Sequence, residues 1–245
     1  MLKLKQTLIP ILGLSICVSA HAERLIASSG KDQVQLIELY SSESCSSCPP
    51  ADKWVSSLKD NKGLWKNFVP VVFHVDYWND LGWKDGLSSN LMTRRQQEVA
   101  RTWPKASVYT PAVVVNGNEW KDWSSKNISE KTTPSDIKLS IFESKNGDFE
   151  VVVDGLKSNA KEYTVRLAKL GMGISTDVTA GENSGRHLEH NFVVLNWEAK
   201  TVSVKNPKIT FHFGASEKKS IRTALAVWIE KQGSPIPLQS AGGYL

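Results

Sequence analysis

The chain has 245 residues, a formal net charge of +5, 22% charged and 40% hydrophobic residues. That length is ample for two modest hydrophobic cores. Lys and Arg are interspersed with Asp and Glu in no run or stripe, so the sequence gives no support for a nucleic-acid-binding surface.

At the start, Lys3 and Lys5 precede an apolar stretch at 8–18, followed by Ser19-Ala20-His21-Ala22. This pattern predicts a secretory signal peptide over 1–22, cleaved after Ala22 at an Ala-x-Ala site. The apolar run is too short to span a bilayer, so no stable membrane insertion is expected after cleavage. Cys17 is a poor lipoprotein site because Ile16, before it, is not small. The predicted location is extracytoplasmic, either periplasmic or secreted. Loss of Lys3 and Lys5 lowers the formal charge of +5 by two, and loss of Cys17 leaves Cys45 and Cys48 as the remaining cysteines.

The apolar run at 34–40 predicts a strand, and the Ser-rich turn after it leads to Cys45-Ser46-Ser47-Cys48. Pro49 and Pro50 then open a helical pattern over about 50–59. Strand, turn, Cys-x-x-Cys and helix are the layout of a thioredoxin-type redox site. Only a thiolate attacks a disulfide, so one cysteine must ionise near working pH. Cys45 is expected at the helix entrance, where unpaired N–H groups favour negative charge, with Ser46 and Ser47 donating to its sulfur. Cys48, deeper, is expected to resolve the mixed disulfide. The competing reading is a purely structural bridge, but closing so short a loop restricts the unfolded chain very little. Glu38 interrupts an otherwise apolar strand and is the candidate proton relay for the leaving thiol, against a satisfied buried carboxylate. Glu43 reads as a solvated turn residue. His74 also interrupts an apolar run and reads as a hydrogen-bonded core histidine.

Residues 68–75 form a continuous apolar, β-branched run, as in a parallel strand covered on both faces. Between Asp76 and Lys105 lie Tyr77, Trp78, Trp83 and Trp103, with Gly82 and Gly86 as breakers and a helix over about 91–101. These aromatics either pack this insertion onto the domain or form a docking surface. Thr110-Pro111 then enters the apolar run 112–115, which Asn116-Gly117 closes as a hairpin turn with a partner over about 118–123. In thioredoxin-like domains this place is taken by a cis-proline, and a cis bond at Thr110-Pro111 would aim the Thr110 backbone at an incoming chain beside Cys45. The alternative is an ordinary trans X-Pro bond opening an edge strand.

The polar stretch 124–135 suits a linker. Beyond it, candidate strands at 137–142, 149–153, 163–170, 174–178, 187–197, 209–213 and 224–230 alternate with turn signals such as Asn146-Gly147-Asp148. The predicted architecture is an α/β thioredoxin-like domain over 23–130 with a helical, Trp-rich insertion, followed by an all-β, immunoglobulin-like sandwich over 131–245. In the second part, Arg186, His187 and His190 with Glu182 and Glu189 make the densest polar cluster. His187 and His190, three apart on a strand, point to opposite faces, which argues against a metal pair.

Several motifs together resemble an exported family catalogued as domain of unknown function 1223. They are Glu38-Leu39-Tyr40 before Cys45 to Asp52, His74-Val75-Asp76-Tyr77-Trp78, Leu81-Gly82-Trp83-Lys84-Asp85, Tyr109-Thr110-Pro111, and Gly181-Glu182-Asn183-Ser184-Gly185-Arg186 with His190. The resemblance implies a thioredoxin-like fold and an extracytoplasmic location. It further implies Cys45 as nucleophile, Cys48 as resolver and Pro111 in the cis-proline position. The expected function is a thiol–disulfide oxidoreductase acting on protein or small thiols of the cell envelope. It needs no cofactor beyond the Cys45–Cys48 dithiol/disulfide pair. The alternatives are a Cu(I)-binding module using Cys45, Cys48 and His74, and a non-catalytic cell-envelope binding protein.

Overall fold

The computed structural model describes residues 23–125, 128, 133–157, 162–214 and 220–245. The segment 1–22, where the signal peptide is expected, and much of the polar stretch before 133 lie outside the described residues.

In chain order the first half contributes β1 (Arg24–Ser28), β2 (Gln35–Ser41), α1 (Pro49–Ser57), β3 (Phe68–His74), α2 (Asn90–Ala100), β4 (Ala112–Val115) and β5 (Asn118–Glu119). The second half is built of strands. They are β6 (Lys138–Glu143), β7 (Phe149–Asp154), β8 (Tyr163–Met172), β9 (Ile174–Asp177), β10 (His187–His190), β11 (Val193–Val202), β12 (Lys208–Phe211), β13 (Arg222–Lys231) and β14 (Pro237–Tyr244).

Local chemistry accounts for the elements around the cysteines. Pro49 and Pro50 occupy the first turn of α1, where a missing N–H costs no intrahelical bond. The helix buries Ala51, Asp52 and Val55. Every residue of β3 is buried, and β2 is buried from Leu36 onward. β2 and β3 pair in parallel, Gln35 opposite Phe68 through Ser41 opposite His74. β4 joins the other edge of β2 antiparallel, with Tyr40 opposite Ala112.

The predicted division into an α/β thioredoxin-like domain and a separate immunoglobulin-like sandwich does not hold. The outer edge of β3 is taken by β11, with Val193 opposite Val72 in parallel. An eight-stranded sheet results, ordered β14-β13-β8-β11-β3-β2-β4-β5, with strands from both halves of the chain. A four-stranded sheet, β1-β6-β7-β12, packs on its far end, and β9 and β10 form a two-stranded ribbon. The fold is thus predominantly β, with two α-helices among the described residues.

The reason lies in what each strand needs to cover. β13 is apolar on both faces: Leu225, Val227 and Ile229 pack under β6, β7 and β12, while Ala224, Ala226 and Trp228 join Tyr40 and Phe73. Strands buried on two faces belong in the middle of a sheet. A local alternation pattern registers each strand but not which edge it covers. The run expected as one strand over 187–197 likewise divides into β10 and β11. Phe192 takes a positive φ of 61° at the break, and its carbonyl accepts from Val72 N at 2.9 Å. Phe192 is fully buried between the two sheet segments.

The Trp-rich insertion packs inward: Trp103 is 8% exposed and donates from Nε1 to Gly117 O at 3.1 Å. Trp78 lies against the main core.

Candidate functional site

The site begins where β2 ends. From Ser42 the chain turns, with Cys45 N donating to Ser42 O at 3.1 Å and Cys48 N to Cys45 O at 3.1 Å. Cys48 is the N-cap of α1, and its carbonyl accepts from Ala51 N and Asp52 N. Cys45, expected at the helix entrance, therefore stands three residues ahead of the N-cap. Its charge is supported from the turn itself. Hydrogen bonding from Cys48 brings the Cys45 thiol down to about 6, against the opposing effect of burial, with further help from Ser47 and Thr110. Cys45 Sγ lies 3.2 Å from Ser47 Oγ. Burial, together with the neighbouring Cys45 and Asp52, pushes the Cys48 thiol far up.

Thr110-Pro111 is cis, and Thr110 O stands 3.9 Å from Cys45 Sγ. The structure thus brings Cys45, Cys48, Thr110 and Pro111 together. It does not bring Glu38 there. Glu38 Oε1 accepts from Arg95 Nε at 2.8 Å, and Arg95 Nη1 reaches Glu230 Oε1 at 2.8 Å, all three side chains at most 1% exposed. The carboxylate that acts on Cys48 is Asp52, one helical turn on.

Both cysteines are free thiols, so the expected disulfide is not formed in this structure. Cys45 is 2% exposed, against the expectation of an open nucleophile. Two loops close over the turn. Asn183 Nδ2 donates to Glu43 O at 2.8 Å and to Cys45 O at 3.0 Å, and Ser46 N donates to Glu182 Oε2 at 3.1 Å. Ser44 Oγ donates to Trp83 O at 2.7 Å. The loops meet at Gly82 and Gly181, whose φ values are +91° and +72°. A Cβ on Gly181 would stand 3.1 Å from Trp83 Cβ, so glycine is required for that approach. Replacing Asn183 by alanine removes two of the hydrogen bonds, each worth about 0.5–1.5 kcal/mol. Alkylation of Cys45 by iodoacetamide at pH 7 is then expected to speed up by roughly tenfold. An unchanged rate would show that the loop does not restrain the thiol.

Behind the cysteines lies a buried polar chamber that the sequence pattern did not disclose. Glu43, expected as a solvated turn residue, is 1% exposed. Its Oε2 accepts from Trp83 Nε1 at 2.9 Å, and its Oε1 lies 3.3 Å from His190 Nε2. His74 Nδ1 contacts Asp85 Oδ2 at 2.7 Å, which makes it the hydrogen-bonded core histidine expected. Asp85 also accepts from Glu43 N and Leu87 N. Burial opposes the His74 charge, but Asp85 prevails and pushes its pKa up to about 8. Asp85 is held below the usual carboxylate range by the same pair and the two N–H donors, although burial opposes this. Burial raises Asp52, whose Oδ2 accepts from Ser41 Oγ at 2.9 Å. Asp52, His74 and His190 each present a ligand atom within 4.8 Å of the others. Among the described residues this is the grouping of three or more candidate metal ligands, and it contains neither cysteine. The signal available in the sequence was the run of polar residues in apolar surroundings, Asp52 and His74; His190 needed the β10–β11 break to be placed.

A family profile described as "Protein of unknown function (DUF1223)" matches residues 36–230, from β2 through β13. The chain belongs to this family. The DUF1223 match includes both cysteines, Thr110, Pro111 and all of the polar chamber. Comparison with curated proteins gives no match. Among solved structures, protein AGR_C_4864 from Agrobacterium tumefaciens is similar at a TM-score of 0.62 and 21% identity, over 88% of this chain and 96% of that one. HBP35 of Porphyromonas gingivalis is similar at a TM-score of 0.55 and 13% identity, over 89% and 76%. At these identities the likeness is one of fold. It spans both halves of the DUF1223 chain, in keeping with a sheet that joins them.

Proposed function

We propose that the protein is an exported thiol–disulfide oxidoreductase that exchanges with protein or small-molecule disulfides of the cell envelope. The observation that supports this most directly is the geometry of the thiol pair. Cys45 Sγ lies 3.2 Å from Ser47 Oγ and 3.9 Å from Thr110 O beside the cis Thr110-Pro111 bond, with Cys48 behind it at the N-cap of α1. Hydrogen bonding lowers the Cys45 thiol and burial raises that of Cys48. One sulfur is a nucleophile at neutral pH and its neighbour a protonated thiol in reserve.

In the reaction, the Cys45 thiolate attacks one sulfur of the substrate disulfide. That S–S bond breaks, and the departing thiolate takes a proton. Cys48 then loses its proton and attacks the Cys45 sulfur, releasing the second substrate thiol. Two electrons pass from the Cys45/Cys48 dithiol to the substrate, and the pair is left as a disulfide. Asp52 is the neighbouring carboxylate able to take the Cys48 proton. Thr110 O, beside Cys45, is a backbone acceptor for a bound extended peptide. Ser46 and Ser47 are exposed and form the face through which the substrate approaches. Export is part of the reading because the 1–22 pattern is that of a signal peptide.

The deciding experiment uses reduced protein with insulin or oxidised glutathione as substrate. Cys45→Ser is expected to reduce exchange by at least about a hundredfold. Cys48→Ser is expected to retain the first step and accumulate a mixed disulfide at Cys45. Exchange unchanged in Cys45→Ser would overturn the assignment.

A further inference from the structure

We propose that Asp52, His74 and His190 form a binding site for a divalent first-row metal ion of the zinc type. Two imidazole nitrogens and one carboxylate oxygen would hold it. Neither cysteine belongs to the ligand set, although Asp52 is also the carboxylate beside Cys48, so a bound ion would compete with its role toward that thiol.

The argument starts from atoms left over. Asp52 Oδ1, His74 Nε2 and His190 Nδ1 are buried without a hydrogen-bond partner among the described residues. Buried polar atoms are nearly always paired, so several orphans converging in one place call for an explanation. The second atom of two of these ligands is occupied. Ser41 Oγ holds Asp52 Oδ2 at 2.9 Å, and Asp85 Oδ2 holds His74 Nδ1 at 2.7 Å. Glu43 Oε1 stands 3.3 Å from His190 Nε2. A histidine bound to metal usually presents one nitrogen inward and has the other fixed by a carboxylate or carbonyl. The carboxylate–imidazole pair of Asp85 and His74 has that form, and Glu43 supplies a carboxylate beside His190. The imidazole rings of His74 and His190 stand 4.9 Å apart at 85°, edge to face, so they do not stack into the space between them.

The ligand atoms lie within 4.8 Å of one another. Donors on a tetrahedral ion with bonds of about 2.0–2.2 Å are separated by roughly 3.4 Å, within reach of small side-chain rotations. The donor set selects the ion. Two imidazoles and one carboxylate suit zinc and its first-row neighbours, lack the sulfur that Cu(I) prefers, and offer too few oxygens for calcium. An approach exists from outside. A cavity of about 490 Å³ between α1 and β10 is lined by Asp52 and His190, with Lys53, Lys59, His187 and Glu189 nearer its rim. The ion would tie together α1, β3 and β10, three segments far apart in sequence.

The test uses the full chain with Cys45 and Cys48 both changed to serine, which removes thiolate binding and thiol exchange together. After treatment with a chelator, Zn²⁺ is titrated by calorimetry, and Co²⁺ is added as a spectroscopic reporter. The expected result is one equivalent of zinc bound at micromolar affinity or tighter, with a rise in Tm. Cobalt should give visible d–d bands and no thiolate charge-transfer band. Asp52→Asn and His190→Gln, each in the same background, should weaken binding by at least about a hundredfold, while His187→Ala at the cavity rim should leave it unchanged. No binding by the cysteine-free protein overturns the proposal, as does binding that survives Asp52→Asn but is lost in His187→Ala. The titration of the cysteine-free protein decides the matter even if a ligand variant fails to fold.

Discussion

Replacing Arg95 by alanine is expected to lower the unfolding free energy by about 3–5 kcal/mol. Arg95 is fully buried, with its Nε on Glu38, its Nη1 on Glu230 and its Nη2 donating to Pro235 O. Glu230 in turn receives Arg166 Nε at 2.9 Å and Trp228 Nε1 at 3.0 Å. Removing the guanidinium leaves the Glu38 carboxylate with no cation and the Glu230 carboxylate with one. Both are then in low dielectric, and such uncompensated charge is the costly state. The network also joins α2 to β2 and β13, so its loss loosens the contact between strands from the two halves of the chain. Urea unfolding of the variant measures the effect. The triple change Glu38→Gln, Arg95→Met, Glu230→Gln should recover much of it, because no charge then remains unpaired. A loss below about 1 kcal/mol in Arg95→Ala would mean that water reaches these carboxylates. From the sequence, Glu38 reads either as a proton relay at the cysteines or as a satisfied buried carboxylate. In the structure its carboxylate is committed to Arg95, and the same interruption of an apolar strand marks a buried ion pair.

Stability of the reduced protein is expected to rise with pH between about 6 and 9, by at most about 1.4 kcal/mol per pH unit. The sign follows from Cys45, whose thiol lies at about 6 in the folded protein against an ordinary value of 9.0. Within that window the unfolded chain holds a proton that the folded protein has released, so raising the pH favours folding. The contribution is complete above 9 and is lost as the pH falls through 6. Cys48 acts in the other direction, since burial raises its thiol above 9.0. It costs stability only where the unfolded thiol ionises, above about 9. The maximum from the pair therefore falls near pH 9. Urea unfolding under reducing conditions at several pH values, compared with Cys45→Ser, isolates the effect from the His74, Asp85 and Asp52 ionisations, which both proteins share. Parallel profiles would show that the Cys45 thiolate is not favoured by the fold, and the proposed nucleophile would lose its basis.

How far the sequence reached depends on whether a feature is local. The strand, Cys-x-x-Cys turn and proline-initiated helix were readable because each is set by neighbours a few residues away. So were β3, β4 and the Asn116-Gly117 turn, whereas the placement of Thr110 and Pro111 beside Cys45, 65 residues apart, was expected from the resemblance and not from local pattern. Most strands of the second half were found with small shifts in their ends, since alternation marks a strand wherever it lies. The run expected over 187–197 instead divides into β10 and a β11 that continues to Val202. β1 and β14 were missed: RLIAS is short and mostly exposed, and PLQSAGGY carries too few large apolar residues to alternate. The closure of Cys45 was also not legible, because Asn183 and Glu182 stand more than 130 residues away.

What the sequence by itself determined is the Cys45-to-Cys48 turn, its strand and helix, and the strand-rich character of the second half. Local steric preferences and burial periodicity decide these. Only the tertiary structure decided that β11 takes the open edge of β3 and merges the two halves into one sheet. It alone brought Asp52, His74 and His190 together and committed Glu38 to Arg95. Those outcomes depend on which distant strand or charge relieves a buried edge or a buried carboxylate, and such pairings leave no periodic trace along the chain.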